Sequence, residues 1–156
     1  MIHRFEKKAF IPSDLDKVWS FFSNPQNLSK ITPDWLGLKI KNKDFLPSHM
    51  YAGMIICYDV NLFLGLKTEW VTEITQVKEK AFFVDEQRFG PYSFWHHQHF
   101  FKEVEGGVEM TDIVHYKLPG GAVGSLFGSS FVNNRLNQIF LYREEIIKEL
   151  YPKIVN

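Results

Sequence analysis

Between residues 53 and 118 the chain repeats one pattern: segments of alternating apolar and polar residues, parted by turns too short to hold a helix. GMIICYDVN, LKTEWVTEITQV, AFFVDEQRF, YSFWHHQHFFKEV and GVEMTDIVHYKL follow one another in this way. Alternation is the period of a half-buried strand, and breaks rich in Gly, Pro or charge close hairpins. Strands joined so closely pair antiparallel, because a parallel pair needs a crossover of a dozen residues or more. IHRFEKKAFI (2–11) and LGLKIK (36–41) read as two further strands, which makes seven.

The remaining segments are helical. Pro12 and Ser13 stop the first strand, and Ser13 or Asp14 can cap DLDKVWSFFS, where Leu15, Val18, Trp19 and Phe22 share a face. Asn24 and Pro25 open a second short helix, PQNLSKI. After LPGGAVG the period changes. Over residues 122–150 apolar side chains recur at helical spacing, a stripe about 43 Å long at 1.5 Å per residue. Its first turns carry Gly124, Ser125, Gly128, Ser129 and Ser130, poor helix formers that let another element approach closely. The order predicts an α+β fold, a curved seven-stranded antiparallel sheet laid against one long C-terminal helix. One helix does not fill the concavity of a curled sheet, so a pocket between them is expected.

Composition narrows the function classes. In a chain of 156 residues, 45% are hydrophobic and 16% aromatic, which suits one domain (1–156) with a substantial core. Lys plus Arg balance Asp plus Glu at 18 each, so no net field favours nucleic acid or an anionic membrane. No apolar stretch approaches the ~20 residues of a membrane span. The single cysteine, Cys57, excludes an internal disulfide and suits a reducing compartment, with a cytoplasmic location as the expectation.

The segment FVDEQRFGPYSFWHHQHFF (83–101) mixes histidines, a carboxylate and a glutamine among large aromatics. Centring the last hairpin on Gly106-Gly107 pairs Phe101 with Asp112, His99 with Val114 and His97 with Tyr116. One face then carries Trp95, His97, His99, Phe101, Met110, Asp112, Val114, Tyr116 and Leu118. The other carries His96, Gln98, Lys102, Glu109, Thr111, His115 and Lys117, so His96 and His115 are expected in water. A two-residue turn at Lys78-Glu79 or Glu79-Lys80 puts Thr68, Trp70, Thr72 and Ile74 on the face of Phe83, Asp85, Gln87 and Phe89. The polar groups of this inner face cost about 1–3 kcal/mol each if buried unpaired, so they pair, hold water or meet a ligand.

Four readings stay open for that face. It can be a satisfied internal network, or an aromatic-walled ligand cavity with a few orienting polar groups. It can be an acid–base site with His97, His99 and Asp112 as catalytic candidates, of cyclase, dehydratase or isomerase type. Metal coordination by His97, His99 and Asp112 is weaker, since His-x-His arises readily by chance among six histidines and no Cys cluster or HExxH supports it. A G-x-S-x-G elbow, a phosphate loop and a dinucleotide fingerprint are all absent from the sequence. A pocketless interaction domain is the remaining class.

Three strings together carry a resemblance: F-x-D-x-Q-x-x-G-P-Y-x-x-W-x-H-x-H-x-F, T-D-x-V-x-Y-x-L-P-G-G-x-x-G and R-L-x-x-I-F-x-Y-R. They include Gly90, Pro91, Pro119, Gly120, Gly124, Arg135, Tyr142 and Arg143. Over essentially its whole length the chain resembles the ligand-binding SRPBCC domain family of the START-like superfamily, which includes polyketide cyclases and the birch-pollen allergen type. The resemblance implies a helix-grip fold around a hydrophobic cavity, and a partner that is a small apolar or amphipathic molecule of lipid, polyketide or aromatic type. Trp70, Trp95, Phe101 and Tyr116 would form its walls with Phe127 of the terminal helix, and Asp85, Gln87, His97, His99 and Asp112 would hold its polar end. No cofactor and no metal is expected.

Overall fold

The computed structural model describes residues 1–63 and 66–152, with side chains outside the description at 62, 63, 121–127 and 129. β1 (His3–Ile11) leads into α1 (Leu15–Phe22), and Asp14 Oδ1 accepts from the Lys17 amide at 2.9 Å, which makes Asp14 the cap. Pro25–Ile31 winds as a 3-10 helix, with Asn24 Oδ1 accepting from the Gln26 amide. β2 (Lys39–Ile40), β3 (Met54–Phe63), β4 (Leu66–Lys78), β5 (Phe82–Phe89), β6 (Phe94–Val104) and β7 (Gly107–Lys117) follow, and α2 (Gly121–Leu150) comes last. The seven strands form one antiparallel sheet in the order β1-β7-β6-β5-β4-β3-β2.

β2 is shorter than the six residues expected, for a local reason. Gly37 sits in the left-handed region (φ 54°) at the end of a 3-10 turn, which delays the strand. At the other end the Asn42 side chain takes over the ladder: its Nδ2 donates to the Ile55 carbonyl, and its Oδ1 accepts from the Cys57 amide, each at 3.0 Å. A side-chain amide thus satisfies backbone groups that a longer strand would have paired.

Two pairings differ from the sequence expectation. Between β6 and β7 the turn is Glu105-Gly106, with Gly106 at φ 79°, so His99 faces Asp112, Phe101 faces Met110 and His97 faces Val114. Gly107 pairs with Val104 as the first residue of the strand, and a Cβ there would collide with the Ile11 carbonyl of β1. The slip is two residues along β7, and an even slip keeps every side chain on its face. Accordingly His97, His99, Phe101, Met110, Asp112, Val114, Tyr116 and Leu118 are all buried. Between β4 and β5 the loop is residues 79–81, with Lys80 at φ 58°, and bulges interrupt the ladder after Val71 and after Ile74. The first bulge turns Phe89 to the outer face, 62% exposed, where an inward position was expected.

The interior divides in two. Ile11, Val18, Trp19, Phe22, Phe101, Val108, Met110 and Ile147 pack under α1 and the last turns of α2. Tyr58, Trp70, Tyr92, Tyr116, Val132, Leu136 and Phe140 belong to a second cluster under the middle of α2. The expected close approach at the start of α2 occurs at Gly128, where a Cβ would lie 2.7 Å from Leu118 Cδ1.

Candidate functional site

Between the two clusters lies a cavity of about 170 Å3, walled by β3–β6, α1, the 3-10 segment and α2. Tyr58, Trp70, Tyr92, Trp95 and Phe140 supply aromatic walls. Tyr58 stacks on Trp70 (5.9 Å between centroids) and hydrogen-bonds Thr72 at 2.9 Å, while Trp95 meets Trp70 edge-on at 5.1 Å. Burial pushes the Tyr58 and Tyr92 hydroxyls well above the ordinary tyrosine range, so both stay protonated.

One corner is polar. The sheet register sets Asp85 opposite His97 and His99 opposite Asp112, so two carboxylates and two imidazoles occupy a two-by-two patch across three strands. The in-line hydrogen bonds run diagonally: His97 Nε2 to Asp112 Oδ1 at 2.9 Å, and His99 Nε2 to Asp85 Oδ2 at 2.8 Å. The other two contacts are His97 Nδ1 to Asp85 Oδ2 at 3.4 Å and His99 Nδ1 to Asp112 Oδ1 at 2.8 Å. The last is close but out of line, leaving His99 Nδ1 without a properly directed acceptor. The imidazole centroids are 3.7 Å apart. Behind them Arg143 of α2 reaches Asp112 Oδ1 at 3.4 Å.

Proton placement follows from the surroundings. Burial alone would raise both carboxyls, but the imidazoles outweigh it at Asp85, helped by a hydrogen bond from Trp95. At Asp112 the hydrogen bond from His97, the close contact with His99 and the charges of His99 and Arg143 outweigh that burial and hold the carboxyl well below the usual range. Burial and the neighbouring His99 push His97 down despite both carboxylates. Burial works against His99 as well, but the adjacent Asp112 carboxylate and the hydrogen bond to Asp85 prevail and raise it. The surroundings thus favour the carboxylate form of Asp85 and Asp112, the charged form of His99 and the neutral form of His97. Since a carboxylate only accepts, the single proton of His97 lies on Nε2 toward Asp112. Nδ1 presents a bare lone pair to Asp85, and that is the longest of the four contacts.

Of the expected ligand-binding residues, Trp70, Asp85, Trp95, His97 and His99 line the cavity. Asp112 lies behind the imidazoles, Tyr116 stacks against His3 and packs near Tyr92, and Phe101 packs on Trp19 and Phe22 in the closed cluster. Gln87 is taken up by the turn at Gly90: its Nε2 donates to the Tyr92 carbonyl (2.6 Å) and its Oε1 accepts from the Tyr92 amide (3.2 Å). The side chain of Phe127 lies outside the described residues. His96, expected in water, is half-buried with Nδ1 2.7 Å from Glu86. Tyr58, Thr72, Tyr92 and Arg143 were missed as lining residues. Arg143 had a signal: it is the one charge in the buried stripe Val132, Leu136, Phe140, Arg143, Ile147.

Comparison with known proteins gives the fold. Over 98% of this chain and 93% of the other, it is similar to protein Ms6760 from Mycobacterium smegmatis, with TM-score 0.69 at 16% identity. Ginseng major latex-like protein 151 from Panax ginseng matches with TM-score 0.69 at 13% identity, over 97% of this chain and 98% of that one. Ara h 8.0201 matches with TM-score 0.64 at 14% identity, over 96% and 99%. The chain has the helix-grip fold. No family model matches the sequence, and no curated protein matches it either. Among the described residues no helix of this helix-grip chain is long and apolar enough to cross a membrane.

Proposed function

We propose that this helix-grip protein binds one small, mainly apolar molecule between its sheet and α2, with the molecule's polar end at the Asp85–His97–His99 corner. The observation that carries the reading is the aromatic-walled cavity of about 170 Å3 with that one polar corner. An apolar cavity of roughly 150 Å3 accommodates benzene. The size favours a compact, single-ring ligand of aromatic type over an extended lipid chain. Trp70 Nε1 and Arg143 Nε are buried without a hydrogen-bond partner among the described residues, and both residues line the cavity. Such donors are costly to leave unmade, which supports a ligand carrying acceptor oxygens.

The experiment is a thermal shift with phenol and benzoate as probes, run on the natural chain and on Ile56→Phe, which projects a ring into the cavity. Saturation at 100 times Kd corresponds to about 2.7 kcal/mol of added stability. A shift in the natural chain that Ile56→Phe abolishes is expected. No shift with either probe, or equal shifts in both proteins, overturns the reading.

A second reading has its own observation. The two imidazoles of one wall are pushed in opposite directions, one kept neutral and one kept charged, as acid–base catalysis of cyclase, dehydratase or isomerase type requires. A turnover screen separates the two: His97→Gln that still binds but no longer converts any bound compound favours the enzyme.

A further inference from the structure

The geometry points to a divalent transition-metal site formed by Asp85, His97 and His99 on the cavity wall, with Asp112 and Arg143 as its supporting layer. It stands whether or not the cavity takes an organic molecule. One ligand atom from each of the three side chains falls within 4.8 Å of the others. Asp85 Oδ2 is the shared vertex, 2.8 Å from His99 Nε2 and 3.4 Å from His97 Nδ1. A cation bound at 2.0–2.2 Å holds neighbouring nitrogen and oxygen ligands roughly 3.0–3.4 Å apart, so the two carboxylate–imidazole separations fit to within a few tenths of an ångström, and the two imidazole nitrogens, within 4.8 Å, close on the ion by up to about 1.4 Å. Two imidazoles and one carboxylate on one side of an ion leave the remaining positions free. Here those positions face the cavity, which all three residues line.

The layer behind the three residues carries the argument further than the spacing does. A metal-ligating histidine normally donates its other ring nitrogen to a carboxylate, which fixes the ring and raises its basicity. His97 Nε2 does this to Asp112 at 2.9 Å, and His99 Nδ1 lies 2.8 Å from the same oxygen. In the present arrangement that second contact is out of line, and His99 Nδ1 is a buried atom without a directed partner. A cation that takes His99 Nε2 and Asp85 displaces the proton between them into solvent, which would free the ring to turn Nδ1–H onto Asp112. Arg143 holds Asp112 from α2 at 3.4 Å. His97 Nδ1 already offers a lone pair. Charge also bears on the choice of ion: a dication with two carboxylates and Arg143 leaves one positive charge, which an anionic oxygen on the cavity side would neutralise.

The sequence points to Asp112 as the carboxylate that could complete a set with His97 and His99. The observed pairing exchanges the two roles: Asp85 stands at the cavity, and Asp112 stands behind.

The test uses the full chain stripped with a chelator and titrated with Co2+ alone, followed by Zn2+ competition, with no organic ligand present. Saturable uptake of one Co2+ per chain with visible d–d absorption, displaced by Zn2+, is expected. Asp85→Asn and His99→Gln should abolish saturable uptake, and Asp112→Asn should weaken it roughly 10- to 100-fold. Ring-nitrogen NMR of the natural chain needs no variant to fold: Zn2+ should move His97 Nδ1 and His99 Nε2. Failure of the natural chain to take up either ion overturns the proposal. So does uptake undiminished in Asp85→Asn, or shifts confined to the outer-face His96 and His115. Because the probe is the ion alone, a negative result here leaves the phenol and benzoate test untouched, and the reverse holds too.

Discussion

The two ends of the interior share β1 and β7 yet are packed to different degrees. Under α1, Ile11, Val18, Val108 and Met110 are completely enclosed, and Trp19 meets both Phe83 and Phe101 edge-on. Under the middle of α2, equally large side chains stand around a void. The difference lies in what crosses the sheet. At the closed end α1 and the last turns of α2 bring Val18, Trp19, Phe22 and Ile147 down onto the sheet. At the open end α2 spans the concavity, with α1 and the 3-10 segment only at its edge through Phe22, Leu28 and Ile31, and the inward stripe of α2 reaches the cavity through Leu136, Phe140 and Arg143. Close packing is the default state of protein interiors, so the uncovered space marks the part of the fold free to hold something else.

The comparison can be broken by adding the same kind of bulk at each end. Val108→Leu at the closed end should cost about 1–3 kcal/mol, because a full core relieves extra methylenes only by strain. Ile56→Phe, which lines the cavity, should cost less than about 1 kcal/mol, because its ring enters space already present. Urea unfolding of both variants measures this. Equal costs would mean that the cavity collapses in solution and that the two ends are alike.

An acid titration sharpens the contrast from the polar side. Asp112 and Asp85 both have carboxyls held below their ordinary range in the folded, metal-free chain. The unfolded chain therefore takes up protons before the folded chain does. The stability these groups contribute is fully present above the unfolded value of about 3.9 and is lost as pH falls through the folded values. Each group contributes at most about 1.4 kcal/mol per pH unit to that limb. Asp112→Asn should flatten the fall between pH 5 and 3, measured by urea midpoints, whereas Val108→Leu should lower the whole curve without changing its slope.

How much of this was legible in the sequence depends on parity. Period-two alternation assigned His97, His99, Asp85, Asp112, Trp70 and Trp95 to the inner face, and any even slip in register preserved that assignment. The pairing itself was not legible. Two adjacent glycines, Gly106 and Gly107, offer more than one turn position, and the close approach of the Ile11 carbonyl that keeps residue 107 without a side chain comes from the far end of the sequence. Phe89 was lost to a bulge, and bulges leave no mark in an alternating pattern. Gln87 looked like a cavity residue because its face was right, but the turn beside it took both of its amide atoms. Arg143 could have been read from the apolar stripe of α2, where a single charge at a core position calls for a buried partner; Asp112 is that partner.

The smallest expected effect concerns two neighbours in the chain, His96 and His97, which differ in face alone. His96 Nδ1 lies 2.7 Å from Glu86, its ring is 6.3 Å from that of His115, and about a quarter of the side chain is exposed (24%). Solvent reaches this contact, and a solvent-exposed polar pair contributes about 0–1 kcal/mol. His96→Gln should therefore change stability by less than about 1 kcal/mol and leave both the probe-induced thermal shift and the Co2+ titration as they are. His97→Gln, one residue on, removes an imidazole from between two buried carboxylates and should alter the acid limb, the Co2+ titration and the binding corner together. If His96→Gln disturbed the cavity measurements as strongly as its neighbour, the two faces of β6 would be coupled. The division of this sheet into a functional concave side and a supporting convex side would then fail.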